Sequence, residues 1–184
     1  MLARLITVTT DPNTTAPNNT APNNTAPNTT ADPSVVWLNR QEQGAWRAYL
    51  DGTRLLFQAL DRQLETEADL SLTDYELLVR LSEAPGGRLR MRDLADATLS
   101  TRSGVTRAVT RAVRAGWVRR VECEDDRRGM NAELTESGQE KLAASAPGHV
   151  RAVRENLLDL LTPDQLTELA DIGDRMRRHL SAGI

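Results

Sequence analysis

The sequence predicts a mainly α fold with a small β-wing. Three observations carry that prediction. Leu, Ala and Arg are abundant, whereas only Trp37, Trp46, Tyr49, Phe57, Tyr75 and Trp117 are aromatic, a balance that suits helices better than a β-sandwich or barrel. Apolar residues recur at three-to-four-residue spacing through most of 37–184, the period of an amphipathic helix. Capping signals and glycine stops delimit these stretches, and one pair of strand-like runs interrupts them. With 184 residues, 39% of them hydrophobic, the chain can build one packed core.

The elements follow in order. Trp46, Tyr49, Thr53, Leu56, Phe57, Leu60 and Leu64 lie on one stripe, predicting a long amphipathic helix within about 37–68. Thr73-Asp-Tyr-Glu76 has the form of a capping box and opens a second helix through Leu81. Pro85-Gly86-Gly87 stops it, and Arg88 to Met91 reads as a short extended piece. A helix carrying Leu94 and Ala95, a turn at Thr98 to Ser100, and a helix from Thr101 to about Ala115 closed by Gly116 form a helix-turn-helix. Trp117 to Cys123 and Met130 to Leu134 read as the strands of a hairpin around the polar loop 124–129. Thr135 caps a long helix with Leu142, Val150, Val153, Leu157 and Leu160, kinked at Pro147-Gly148. Thr162-Pro163-Asp164-Gln165 starts a last helix with Leu166, Leu169, Ile172, Met176 and Leu180 on one stripe. The whole is a winged helix-turn-helix, about 71–135, with flanking helices at 37–68 and 136–182 suited to dimerisation.

Residues 1–36 stand apart. Between 11 and 33 a Thr-Ala-Pro-Asn-Asn pentad repeats, with Pro12, Pro17, Pro22 and Pro27 five apart and nothing apolar larger than Ala. Such a segment cannot bury surface to offset its ordering entropy, so it is expected to be a disordered tail. Its sequons at Asn13, Asn18, Asn23 and Asn28 follow from the repeat. The opening ten residues hold no apolar stretch of signal-peptide length, and the longest apolar run, Val35 to Leu38, is too short to span a membrane. A cytoplasmic protein with no membrane partner is expected. Cys123 is the single cysteine, which excludes an intrachain disulfide and a Cys-based zinc site.

The formal net charge is -3, which on its face disfavours a nucleic-acid partner. Its distribution says otherwise. Residues 36–87 carry a net charge of -4, residues 88–128 carry +5, and residues 129–184 carry -3. Between Asp96 and Glu122 there are six arginines and no acidic residue. A phosphate-binding surface needs local potential, because screening at physiological salt limits its reach to about 8 Å.

On the helix beginning at Thr101, Val105, Ala108, Val109 and Ala112 face inward at helical spacing. Thr101, Arg102, Ser103, Thr106, Arg107 and Thr110 lie opposite. Hydroxyls can bond phosphates or base edges and Arg can pair bidentately with guanine, so this face suits a major groove. Alone it would equally suit a solvated surface helix; the surrounding winged-helix order favours the DNA reading. At the wing tip, Arg127 and Arg128 follow Asp126. One Arg is expected to enter a minor groove while Asp126 positions the other. Arg127 as reader and Arg128 as the positioned partner is the assignment taken, with the converse open.

In SLTDYELLVRLSEAPGGRLRMRDLA, STRSGVTRAVTRAVRAGWVRR, DDRRGMNAELTESG and LTPDQL, the chain resembles the MarR family of bacterial transcriptional regulators over roughly 38–182. The resemblance implies a homodimer on a pseudo-palindromic operator in double-stranded DNA, acting as a repressor released by a small phenolic or lipophilic ligand. Gly104, Ala108 and Ala112 stand where the family usually carries larger residues. The family's peroxide sensors carry their reactive Cys near the first long helix, whereas Cys123 sits on the wing beside Glu122, Glu124 and Asp125, whose charges disfavour thiolate.

The apolar stripes of the terminal helices exceed what a small winged helix can cover. A two-fold interface would bury them and set two recognition helices about 34 Å apart; an intrachain bundle is the alternative. Trp46, Tyr49, Tyr75 and His149, on helices flanking the winged domain, are the candidate ligand contacts, each also explicable as core or interface. No Gly-rich phosphate loop, paired nucleophile and base, or metal cluster is present, so no catalytic residues, cofactor or metal are expected. The competing readings are a winged-helix protein-interaction module and a DNA-binding regulator without an effector.

Overall fold

The computed structural model describes residues 35–97, 102–123 and 126–181, apart from the side chains of Asp96, Ala97, Arg102, Cys123 and Asp126–Arg128. The expected tail, the turn at Thr98 to Ser100 and Thr101 therefore lie outside the described residues. Among the described residues, six α-helices and three strands follow one another as α1 (Arg40–Ala68), α2 (Leu72–Glu83), β1 (Arg88–Arg90), α3 (Met91–Ala97), α4 (Arg102–Arg114), β2 (Val118–Cys123), β3 (Asp126–Leu134), α5 (Glu136–Asn156) and α6 (Pro163–Ser181). The fold is mainly helical with a small antiparallel sheet, in the order β1-β3-β2.

Local chemistry explains the boundaries. Helix α1 starts after Trp37 and Leu38, because Asn39 and Glu42 form a reciprocal capping box, with Glu42 N donating to Asn39 Oδ1 at 3.0 Å and Asn39 N to Glu42 Oε2 at 2.7 Å. Helix α2 is capped by Ser71, not Thr73: Asp74 N donates to Ser71 Oγ at 3.1 Å. Long-range context fixes that register, since Leu72 N donates to Asp61 Oδ1 of α1 at 2.7 Å. After α2, Gly86 and Gly87 adopt φ of 65° and 68°, left-handed values that favour glycine. The chain then turns into β1, which pairs Arg88, Leu89 and Arg90 with Glu133, Ala132 and Asn131.

The wing departs from the expected loop. Strand β3 begins at Asp126 rather than Met130, and β2 begins at Val118 rather than Trp117. The register shifts between Glu122, opposite Met130, and Cys123, opposite Asp126. A bulge of this kind accommodates extra residues while the backbone stays extended, so a polar stretch that resembles a loop by composition serves as strand.

Helix α5 runs unbroken through Pro147 and ends at Asn156, earlier than its apolar spacing suggested; Leu158–Leu160 form a separate 3-10 turn. Its first turn is locked to the wing base. Thr135 Oγ1 accepts from Gly138 N at 3.0 Å and donates to Gly116 O at 2.7 Å, while Thr135 N donates to Trp117 O at 3.0 Å. A Cβ on Gly138 would overlap the Trp117 carbonyl oxygen, so only glycine permits this approach. At the start of α6, Thr162 N donates to Gln165 Oε1 at 2.9 Å and Gln165 N to Thr162 Oγ1 at 3.3 Å, the expected capping box.

One core joins Leu64 and Leu70 to Leu77, Leu78 and Leu81 of α2, Leu94 of α3, Val105, Ala108, Val109 and Ala112 of α4, Val118, Ala132 and Leu142. That core seats α4 and the sheet together. By contrast α6 has no buried residue among those described, and Trp46, Tyr49, Leu50, Leu55 and Phe57 along the first two-thirds of α1 are all exposed.

Candidate nucleic-acid interface

The α4 face follows from its core face. Val105, Ala108, Val109 and Ala112 are at most 3% exposed, and burying them turns Ser103, Thr106, Arg107 and Thr110 to the surface, all exposed. These four predicted residues share one face. Thr101 lies outside the described residues; Arg102 opens α4, but its side chain lies outside them too. The same holds at the wing, where Asp126, Arg127 and Arg128 belong to β3 by backbone and their side chains lie outside the described residues.

Thr106, Arg107, Thr110 and Arg111 line an open groove of about 320 Å³. Thr110 Oγ1 donates to Thr106 O at 2.7 Å and accepts from Arg120 Nη2 at 2.9 Å, which ties the groove's edge to β2. The exposed Arg107 side chain makes no hydrogen bond or ion pair to another described residue. Its cation is available to an anion outside the chain.

A second arrangement was not apparent from sequence. Arg111 grips Asp74 of α2 with two prongs, Nη2 to Oδ1 at 2.7 Å and Nε to Oδ2 at 3.2 Å. Ser71 Oγ donates to Asp74 Oδ2 at 2.7 Å. Asp74 is buried, at 7% exposure, whereas the Arg111 side chain is half exposed. Its hydrogen bond to Asp74, reinforced by Asp74's charge, raises the Arg111 pKa above the ordinary arginine value despite partial burial. The available local signal was only an acidic residue in the first turn of α2, and the partners are 37 residues apart.

Across the sheet, Arg119 and Arg88 both stand opposite Glu133 in register. Arg119 Nη2 meets Glu133 Oε1 at 2.6 Å and Arg88 Nε lies 3.9 Å from Oε2. The Arg119 hydrogen bond holds the Glu133 carboxyl below its usual range, with the charges of both arginines adding to it. These cations belong to the wing's own structure.

The candidate ligand contacts separate into two pairs. Trp46 and Tyr49 stack with ring centroids 6.4 Å apart and are both exposed. Tyr75 is buried, and its ring lies 4.3 Å from that of His149. Gly148, beside His149, abuts Gln63 and Glu67 of α1. At 1.5 Å rise per residue, Trp46 is about 25 Å from that level along α1, so the two pairs do not line one small pocket within a chain. His149 Nδ1 and Gln63 Oε1 are buried with no hydrogen-bond partner among the described residues, and burial pushes the His149 pKa down. Among the described residues no His, Cys, Asp or Glu cluster could hold a metal, and no helix is long and apolar enough to cross a membrane.

Known proteins share both sequence and fold with this chain. The MarR family pattern matches residues 68–129. The regulator PecS of Dickeya dadantii, described as an HTH-type transcriptional regulator, is 30% identical over 131 residues, covering 68% of this chain and 75% of PecS. AbsC, a MarR family transcriptional regulator from Streptomyces coelicolor, superposes with a TM-score of 0.75 at 44% identity, covering 80% of this chain and 99% of AbsC. Sco3205, a MarR family regulator from the same organism solved in complex with DNA, gives a TM-score of 0.76 at 45% identity, over 78% of this chain and 94% of its own.

Proposed function

The chain belongs to the MarR family of transcriptional regulators, and from that premise we propose that it acts in the cytoplasm as a homodimeric repressor on a pseudo-palindromic operator. Family members are regulators, not enzymes. The observation that carries the reading is the α4 surface: Ser103, Thr106, Arg107 and Thr110 exposed over a fully packed core face, with an unengaged Arg107 among them. Thr101, Arg102 and the wing residues Arg127 and Arg128, positioned with Asp126, complete the proposed contact set. Wing contact would be to a minor groove and largely independent of sequence.

Dimerisation is supported by what the single chain leaves uncovered. Leu169, Ile172, Met176 and Leu180 on α6 are 38–61% exposed, and Trp46, Tyr49 and Phe57 on α1 are exposed as well. Apolar faces this extended call for a second surface. Release by a small phenolic or lipophilic ligand is the remaining part of the proposal, with Trp46, Tyr49, Tyr75 and His149 as candidate contacts. A ligand acts only if it binds the DNA-competent and incompetent conformers differently.

The test is binding of the purified protein to its upstream intergenic DNA across a salt series, with sedimentation to establish mass. Expected are a particle of twice the chain mass and a steep decline of affinity with salt. A folded protein that ignores DNA, or binds it without salt dependence, overturns the reading in favour of a protein-interaction module. A thermal-shift screen of phenolic and aromatic acids addresses the effector, since a ligand at 100 times its Kd adds about 2.7 kcal/mol. DNA binding without any responsive ligand leaves a regulator lacking a small-molecule effector.

A further inference from the structure

We propose that Arg111 is a DNA-phosphate contact whose geometry is set by Asp74, an anchor separate from the residues that read bases; this rests on the DNA-binding reading above. Arg111 lines the same groove as Thr106, Arg107 and Thr110, so it faces whatever enters that groove. Its guanidinium carries five N–H donors in a rigid plane. Two of its nitrogens, Nε and Nη2, engage Asp74, and no described residue accepts from Nη1. The side chain is half exposed although its partner is buried, so the free edge of the fork is on the solvent side.

Asp74 is itself immobilised. It sits in the first turn of α2 and accepts from Ser71 Oγ at 2.7 Å, while its own N–H donates to Ser71 Oγ. The chain of contacts therefore runs from the α2 cap to the α2 carboxylate, then to the α4 guanidinium and out to the groove. A free surface arginine must give up several rotatable bonds on meeting a phosphate. Arg111 has given them up in the free protein, which lowers the ordering penalty of binding. A single pair thus joins α2 to α4 and presents a cation in one plane.

Asp74→Asn separates this role from bulk electrostatics by sign. The substitution preserves shape and removes one negative charge close to the interface, so simple Coulomb attraction predicts tighter DNA binding. Loss of the positioning partner predicts weaker binding, by about three- to tenfold per recognition helix. Arg111→Lys, at an exposed side chain, retains the charge but not the two-pronged fork, and it is expected to lose affinity in the same range with an unchanged salt slope. Both are measured by fluorescence anisotropy on operator DNA at two or more salt concentrations, at a temperature where circular dichroism shows each variant folded. Unchanged or tighter binding by both variants overturns the proposal. So does full affinity in Arg111→Lys alone, because it would reduce Arg111 to a point charge. Arg107→Ala is the reference: if it too binds as wild type, the α4 surface is not the DNA interface and the parent reading fails, whereas a loss there beside intact Asp74→Asn and Arg111→Lys defeats only the anchor.

Discussion

Gly138→Ala sets local propensity against tertiary geometry. Gly138 lies inside the first turn of α5, where intrinsic propensity predicts that Ala stabilises by about 1 kcal/mol. The packing predicts the reverse. The new Cβ would overlap Trp117 O and lie 2.7 Å from Leu134 Cδ1 and 2.9 Å from Trp117 C. Leu134 can rotate aside, but the Trp117 carbonyl is held by Thr135 N at 3.0 Å, next to the Gly116 carbonyl that binds Thr135 Oγ1 at 2.7 Å. Relief requires the start of α5 to move off the wing base, weakening one or both hydrogen bonds, each worth about 1 kcal/mol. Overpacking adds about 1–3 kcal/mol. Set against the propensity gain, the net destabilisation is about 2 kcal/mol, or about 4–8 °C in Tm for a chain of this size. Urea unfolding followed by circular dichroism at fixed protein concentration should show a lower midpoint with an unchanged slope. Gly148→Ala in the same helix is the control. There the added Cβ meets only the ends of the Glu67 and Gln63 side chains, which can swing away, so a change below about 1 kcal/mol is expected. A Gly138→Ala protein as stable as wild type, or a Gly148→Ala protein destabilised equally, would refute the reasoning.

Arg107→Ala should weaken operator binding by about 1–3 kcal/mol per half-site and flatten the salt dependence, whereas Arg127→Ala should give a smaller loss that is similar on operator and unrelated DNA; equal effects of the two substitutions would contradict this division. Ile172→Asp introduces a charge on the exposed α6 stripe and should shift sedimentation from dimer toward monomer, while a variant that stays dimeric would remove α6 from the interface. His149 has a buried Nδ1 and a pKa pushed below its ordinary 6.5 by burial. The unfolded chain therefore takes up a proton that the native state resists, so the stability from neutral His149 is complete above pH 6.5 and is lost as pH falls from there toward the lower native pKa. His149→Phe keeps a ring against Tyr75 and should flatten the stability profile as pH falls below about 7; parallel profiles would rule out His149 as the source of the slope.

Elements written by local chemistry were legible, and contacts between distant segments were not. The α5 cap at Thr135 and the α6 capping box at Thr162 rest on residues three apart, and periodicity alone gave the α4 core face. The α2 cap misled because Ser71-Leu-Thr-Asp74 and Thr73-Asp-Tyr-Glu76 both fit the capping pattern. The choice rests on Asp61, eleven residues upstream of Leu72, whose carboxylate takes the Leu72 N–H. The wing's second strand was underestimated because Asp126, Arg127 and Arg128 look like loop residues by composition, whereas strand β3 begins at Asp126, which pairs with Cys123 across the register shift. Asp74 with Arg111 left no local trace, since neither residue is unusual where it stands. The two aromatic pairs were found as residues but not as pairs, because sequence does not place Tyr75 against His149.

Charge shows how the structure revises an inference that composition began. Residues 88–128 carry a net +5 between two acidic segments, which suggests a basic patch acting through its total. The fold draws carboxylates from both neighbours into that patch. Asp74, from the segment before it, binds Arg111, and Glu133, from the segment after it, binds Arg119 and approaches Arg88. Arg120 is held by Thr110. Much of the formal excess is therefore committed to fixing α4 on α2 and β2 on β3, and Arg107 remains unengaged among the described residues. A surface made this way attracts DNA less strongly at long range than six arginines without an acid would suggest. In return it holds its cations at defined positions, which favours discrimination over bulk attraction. On this view the acidic residues flanking the basic segment 88–128 would contribute to DNA recognition by orienting the arginines that the wing and recognition helix present.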